Sequence, residues 1–511
     1  MKKEKAISKE FDKIEKQNSS KVEKNKENLS IPEVNYQENF FHNFKYEDLF
    51  PKARSHKRKI KLIIGPTNSG KTYEAIKALI NSNSGAYLGP LRLLALEKFE
   101  EISKNKLCSL ITGEEKRIVE NSQFTAQTIE TFNTDNFNET VIVDEIQLIS
   151  DSQRGIAYTK ALFGAWCDNL ILVGSPIVET LILKICERLG EEVEIIRKER
   201  LSPLLSGRVI KSFSEIKDKT AIIVFDRRSV FSFKETLEHS GFSVATVYGA
   251  LSPEVRIAEA KRFESGEAQV LIATDAIGMG LNLTIEEIVF SKTQKFDGIS
   301  ERSLIASEVK QIAGRAGRFG RHEAGYFSSF SKVELDFLNK IIKHGEKPPS
   351  YAYVFPTFNQ VESIINDFNK KTLFEAIKFF ENNFSDNLLQ FPRYGEMKEM
   401  ALFLNKYKNK IPIKLLYDSL WFPVNFKESL SIEVFDNQLK RIASNKKISN
   451  PFQNKKQSIP SMYLFDLEVL GKVVVLLKSM GSKFGFEIKV EDQLNQLSIE
   501  INKNILKKLD N

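Results

Sequence analysis

The sequence predicts two successive α/β units with parallel sheets, followed by a mostly helical region. Three observations predict it. Short apolar runs alternate with amphipathic segments from Lys59 to about residue 200, and the same rhythm restarts at Thr220. After about residue 345 the apolar residues instead fall three and four apart, a helical period. With 511 residues the chain exceeds one ordinary domain of roughly 150 residues. The expected division is a tail and N-terminal segment over 1–50, α/β units over 51–200 and 201–345, and a helical region over 346–511.

The first thirty residues mix nine lysines with six acids and lack an apolar core, which reads as a solvated, disordered tail. Over the whole chain 75 basic residues against 67 acidic ones leave a net charge of +8, which fits a polyanionic partner. Cys108, Cys167 and Cys186 show no CxxC spacing, and the five histidines do not cluster with them. That argues against a structural zinc site and a disulfide scaffold. The longest apolar stretches, such as Val473 to Leu477, are too short to span a bilayer, and no membrane association is expected.

In the first unit KLII (61–64), AYLG (86–89), TVIVDE (140–145) and NLILVG (169–174) read as strands. Helical segments between them call for crossover connections, hence a parallel sheet. The first strand runs into Gly65, Pro66, Thr67, Asn68, Ser69, Gly70, Lys71 and Thr72, the pattern GxxxxGKT ahead of a helical stretch. Glycines let such a loop wrap so that backbone amides face phosphate oxygens at the following helix N-terminus. Lys71 would reach the β and γ phosphates, and the Thr72 hydroxyl would bind Mg²⁺. ATP and Mg²⁺ are the expected cofactors. The strand TVIV ends in Asp144 and Glu145. Magnesium takes hard oxygen ligands, so Asp144 joins Thr72 as a metal ligand while Glu145 orients or deprotonates the attacking water. An acidic pair at a strand end is by itself often a helix cap or a solvated turn; the phosphate loop earlier in the same unit favours the chemical reading.

The second unit repeats the rhythm in TAIIVF (220–225), VATVYG (244–249), QVLIATD (269–275) and EEIVFS (286–291). Phosphoryl transfer needs positive charge on the γ-phosphate in the transition state, and the first unit offers little beyond Lys71. The stretch QIAGRAGRFG supplies it: Arg315 and Arg318, three residues apart, are expected on one helical face with Gln311 a turn earlier. Alone this would be a basic surface helix. Opposite a phosphate loop it reads as a pair of arginine fingers, and Lys71, Asp144, Glu145, Gln311, Arg315 and Arg318 form the expected catalytic set. Catalytic charge from a second unit makes hydrolysis depend on closure, so the chain is expected to be a motor.

Together GPTNSGKTYEA, DEIQLI, ATDAIGMGLNL and QIAGRAGRFG resemble superfamily 2 helicases, and specifically the Suv-three-like RNA helicases, the ATP-driven subunit of the mitochondrial RNA degradosome and its bacterial relatives. FPKARSHKRKIKLI and FPTFNQVESI (355–364) extend the likeness on either side. The resemblance implies two RecA-like P-loop domains facing each other across an ATP cleft, with the helical region lying over a nucleic-acid channel. It implies 3′ to 5′ movement and unwinding of single-stranded and duplex RNA by a monomeric motor in RNA degradation or surveillance, with an exoribonuclease as partner. DNA, or an RNA–DNA hybrid in repair or replication, is the alternative track. By the same resemblance Pro90, Arg92, Thr128, Arg227 and Thr274 contact the strand backbone, a sequence-tolerant mode, while Asp275 and Gly278 approach the nucleotide. Arg92 and Arg227 also read as solvated arginines, and Thr128 and Thr274 as strand-end caps. Ser175 stands where the family carries an acid in its coupling motif, and Ser229 where an acid is frequent. The helical region reads equally as a buttress or as a nuclease docking site. An acid-containing N-terminus disfavours a transit peptide, so a bacterial cytoplasm is expected, with the mitochondrial matrix as the alternative.

Overall fold

Runs of β-branched and aliphatic residues bounded by Gly, Asn and Ser form the strands, and because helices cover both faces, those strands carry apolar side chains on both sides. The computed structural model describes residues 44–510 except 279, 281, 282, 299, 318, 319, 321, 393–395, 454 and 455. The reading of the first thirty residues as a tail lies outside the described residues.

Eight strands build the first sheet: β1 (Lys59–Ile64), β2 (Gly85–Gly89), β3 (Cys108–Ile111), β4 (Lys116–Arg117), β5 (Phe124–Thr128), β6 (Asn138–Val143), β7 (Cys167–Gly174) and β8 (Val193–Arg197). Their order is β4-β3-β5-β2-β6-β7-β1-β8, parallel throughout except for β3 against β4. The register Ile64↔Gly174 in β1–β7 and Leu88↔Val143 in β2–β6 brings the ends of β1, β6 and β7 to one edge. That edge is where the phosphate loop, the acid pair and Ser175 emerge.

The second sheet uses β9 (Leu204–Val209), β10 (Thr220–Ile223), β11 (Val244–Val247), β12 (Val270–Ala273), β13 (Glu287–Phe290) and, after a small antiparallel hairpin of β14 (Gln294–Phe296) and β15 (Glu301–Ser303), β16 (Gly325–Ser329). Its order is β11-β12-β10-β13-β16-β9, all parallel. Ala221 and Ile223 face one buried cluster and Ile222 the other, as the twofold alternation of a strand requires.

The third region is mostly helical. Its long helices Leu464–Phe484 and Val490–Asp510 pack on each other, and its apolar core is continuous with one face of the second sheet through Val230, Leu237, Val473 and Leu497. A short stretch near its start reaches into the first lobe instead. A two-residue parallel pair, β17 (Ala352–Tyr353) with β18 (Leu389–Gln390), buries Ala352 and Leu389 in the first lobe's core, and Ser150 Oγ donates to Tyr351 O at 2.8 Å. The N-terminal segment helps fasten it: Tyr46 is buried against Phe163, Phe44 packs edge-on against Phe380 and Phe384, and Arg188 bridges Glu47 and Asp386 at 2.7 and 2.6 Å. Among the described residues no helix is long and apolar enough to cross a membrane.

Candidate nucleotide cleft

A cleft of about 1340 Å³ runs between the two sheets, lined from one side by Gly65–Asn68, Lys71, Thr72, Asp144, Glu145 and Ser175 and from the other by Gly278, Gln311 and Arg315. The phosphate loop owes its shape to two residues in left-handed backbone, Asn68 (φ 63) and Gly70 (φ 76), the second forming the entry to the helix Lys71–Ile80. Gly65 is required for another reason: a Cβ there would lie 2.6 Å from Lys198 O. The Lys71 ammonium folds back onto Pro66 O at 2.9 Å. Burial lowers its pKa, Glu145 and Asp144 oppose that, and Arg315 adds to it.

Asp144 is buried at the end of β6. Its carboxylate accepts from Tyr87 OH at 2.8 Å and from the Glu145 amide at 3.0 Å, with the Thr72 hydroxyl 3.3 Å from both oxygens. Burial first, and the neighbouring Glu145 second, push its carboxyl up to about 6. Tyr158 OH donates to Asp144 O at 3.0 Å and fixes the turn. Glu145 sits in left-handed backbone at φ 57, a conformation a non-glycine residue adopts only when its surroundings impose it. Gln147 imposes part of it by donating to the Glu145 carboxylate, while its own carbonyl accepts from Ser175 N at 3.0 Å. A Cβ at Gly174 would fall 2.5 Å from Gln147 Oε1 and 2.8 Å from Ile146 Cγ2, so a side chain there would push Gln147 off this bridge. The link from β7 to Glu145 therefore runs through a backbone amide and does not call for an acid at 175.

The helix Ala306–Ala313 carries Gln311 and ends before Arg315. The expectation of a shared helical face is corrected here: the helix ends at Ala313, Gly317 (φ 72) turns the chain, and Arg315 Nε donates to Gly278 O at 3.1 Å from between them. Burial lowers the Arg315 pKa, with Glu145, Glu97 and Asp144 opposing, which places its charge within reach of the acids across the cleft. Arg318 lies outside the described residues. Asp275 is not among the residues that line the cleft, and it pairs with Lys295 at 3.0 Å.

The residues expected to touch a strand are held by protein groups. Arg92 pairs with Glu114, Glu115 and, from the second lobe, Glu254 at 3.3, 2.9 and 2.6 Å. Arg227 lies between the rings of Phe231 and Phe465 and binds the buried Glu468 at 3.0 Å, where Tyr248 OH also donates at 2.6 Å. It is a strut to the helical region, because a carboxylate buried there requires a cation. Pro90 O accepts from Arg154. Thr128 O accepts from the Thr131 hydroxyl at 2.8 Å, and Thr274 Oγ1 accepts from Ala276 N at 3.3 Å. Ser229 donates to Asp226, which caps the helix Arg227–His239. Gln147 and Arg200 were missed by sequence reasoning. The glutamine in DEIQ was the available signal for the first; nothing local marks the second.

The loop and acids fit a nucleotide with magnesium. Among the described residues Ser69 Oγ, buried in the loop, has no hydrogen-bond partner, and Thr72 with Asp144 offers the hard oxygens magnesium takes, its remaining ligands coming from phosphate and water. Two parallel sheets with a phosphate loop on one and an arginine turn on the other define a two-lobed RecA-like helicase core. Comparisons with known proteins place it more narrowly. A family profile described as the DEXQ-box helicase domain of Suv3 matches residues 47–198, and one for the helicase conserved C-terminal domain matches 202–320. The chain is 38% identical to the rice ATP-dependent RNA helicase SUV3, mitochondrial, over 75% of this chain and 67% of that one. It is 43% identical to the Arabidopsis thaliana DExH-box ATP-dependent RNA helicase DExH16, mitochondrial, over 65% of this chain and 60% of that one. A single-residue variant of S. cerevisiae Dbp5 bound to RNA and ADP BeF3 matches loosely, with a TM-score of 0.44 and 18% identity over 68% of this chain and 99% of that one. The chain belongs to the Suv3 helicase family, and it spans about three fifths of the length of the Arabidopsis relative. The expected bacterial cytoplasm is corrected by the same finding. Relatives from plants, Candida albicans and mouse are all named mitochondrial, and the acids behind that expectation lie in residues outside the described chain.

Proposed function

We propose that the chain is an ATP-dependent RNA helicase that unwinds duplexes by 3′ to 5′ translocation in mitochondrial RNA degradation or surveillance, with an exoribonuclease as partner and one chain as the motor. The observation that carries the reading is that Lys71, Asp144 and Glu145 of one lobe and Gln311 and Arg315 of the other line a single cleft. Bound Mg²⁺, held by Thr72 and Asp144, would neutralise charge on the phosphate oxygens. Lys71 leaves Pro66 O to meet the β and γ phosphates, Glu145 takes a proton from the attacking water, and Arg315 stabilises charge developing on the transferred group. The set is complete only with both lobes in place, so turnover is tied to closure, and closure to movement along the strand. Domain limits of 51–200, 201–345 and 346–511 go with this reading.

The test is ATP hydrolysis by the whole chain with and without single-stranded RNA, beside Lys71→Ala and Arg315→Ala. Strong stimulation by RNA, lost in both variants, is expected. Hydrolysis that survives Lys71→Ala or ignores RNA refutes the reading, and displacement of matched RNA, DNA and hybrid duplexes decides the track.

A further inference from the structure

The segment joining the lobes lies along the phosphate loop. Lys198 N donates to Ile64 O at 2.8 Å and Leu201 N to Asn68 O at 2.9 Å. Between them, half-buried Arg200 spans the lobes. Its Nη1 donates to Thr67 O inside the phosphate loop and to Gly314 O at the end of the Gln311 helix, both at 2.9 Å. Its Nη2 donates to Ala316 O, and its Nε to Ser202 O at 2.7 Å. Four of the guanidinium's five N–H groups are thereby used, and among the described residues its hydrogen bonds go to carbonyl oxygens alone. Gly314 and Ala316 are the two residues that flank Arg315. Asn68 Nδ2 adds a second tie across the same gap, to Gly317 O at 2.7 Å.

We propose that Arg200 is a positioning residue that fixes the Arg315 turn against the phosphate loop, so that filling the loop sets the placement of the catalytic arginine. The inference rests on the ATP-hydrolysing reading above. Phosphate entering the loop competes with Pro66 O for the Lys71 ammonium, and a change in the loop at Pro66 passes to the adjacent Thr67 carbonyl that Arg200 holds. Arg200 carries that shift to both carbonyls beside Arg315. Only a planar fork reaches three acceptors on two lobes at once; a lysine ammonium at this position reaches one or two and does not fix an orientation.

Arg200→Ala and Arg200→Lys are compared with the parent chain in three measurements: RNA-stimulated turnover, binding of a fluorescent ADP analogue, and nucleotide-driven lobe closure. Closure is read by energy transfer between dyes on cysteines placed at exposed Ile118 and Val333, the native cysteines being buried. Both variants should lose about tenfold or more in kcat, with analogue affinity within about threefold and a smaller closure change. Full rescue by lysine, or affinity falling in step with kcat, would overturn the inference, as would unchanged turnover and closure in Arg200→Ala. A parent chain that closes on nucleotide but hydrolyses none refutes the function alone, and closure still decides the role of Arg200.

Discussion

Replacing Gly314 by alanine tests whether the contact between the lobes is the hydrolytic one. Gly314 has an ordinary right-handed backbone, φ −59 and ψ −14, so its own dihedrals admit alanine and the cost comes from what the added Cβ touches. Its Cβ would meet Lys310 O of its own lobe at 2.6 Å and, across the gap, Thr67 Cβ at 2.8 Å, where ordinary contact begins at 3.4 Å. The turn must therefore retreat from the phosphate loop by about 0.6 Å, unless Thr67 gives way. A misplacement of about 1 Å at a reacting centre costs about a hundredfold, so kcat should fall about tenfold, or roughly 1.4 kcal/mol in the barrier. The assay is RNA-stimulated ATP turnover beside a thermal melt. A kcat within twofold of the parent, with the melt unchanged, would sink this account, because the lobes would then be apart when ATP is cleaved.

Three further outcomes are expected. Burial alone would raise the Glu308 carboxyl, but bonds from Arg302 and Lys295 outweigh it and hold it down to about 2; this stabilisation is present above its ordinary value near 4.5 and is lost as pH falls toward 2. Glu308→Gln should therefore cost about 1 kcal/mol at pH 7 after solvent screening, roughly half of that or less near pH 3 and almost nothing below about pH 2, and a urea midpoint difference that ignores pH would contradict this. Glu468→Ala strands Arg227 and Tyr248 OH, and should destabilise the union of the second lobe with the helical region by about 2–3 kcal/mol, read as earlier proteolysis or melting. Glu254→Gln frees Arg92 of its shortest partner, so single-stranded RNA should bind roughly two- to fivefold more tightly by fluorescence anisotropy; unchanged or weaker binding would remove Arg92 from the track.

Much of the cleft was legible because its chemistry is contiguous. The glycines and lysine of 65–72 and the acids ending β6 are set by the strand–loop–helix sequence that carries them, so type and spacing reveal them. Arg315 was legible in kind but not in backbone, since the helix stops at Ala313 and the chain turns at Gly317 before a face can form. Arg92 and Arg227 show where local reading stops. Their partners, Glu254 and Glu468, stand more than 150 residues away, and nothing in a one-dimensional pattern records which carboxylate folding brings near. Arg200 is the same case, since its acceptors are backbone carbonyls, which every residue has and no motif marks.

The helical region is fastened to both lobes: through Tyr351, β17 and β18 to the first, and through Glu468, Asn502 and Asp510 to the second, by ties to Arg227, Ser252 and Arg262 at 3.0, 2.9 and 2.9 Å. A body bolted to both jaws of a moving vice must flex between its bolts or limit their travel. Because its core is continuous with the second sheet while its hold on the first is a two-residue strand pair and a few side chains, compliance is concentrated at that smaller joint. For the proposed motor, the stroke length is then set at residues 351–391, which begin at the cleft's edge beside Ser150 and Pro349, and stiffening that joint would shorten the step while replacing none of the groups proposed to cleave ATP.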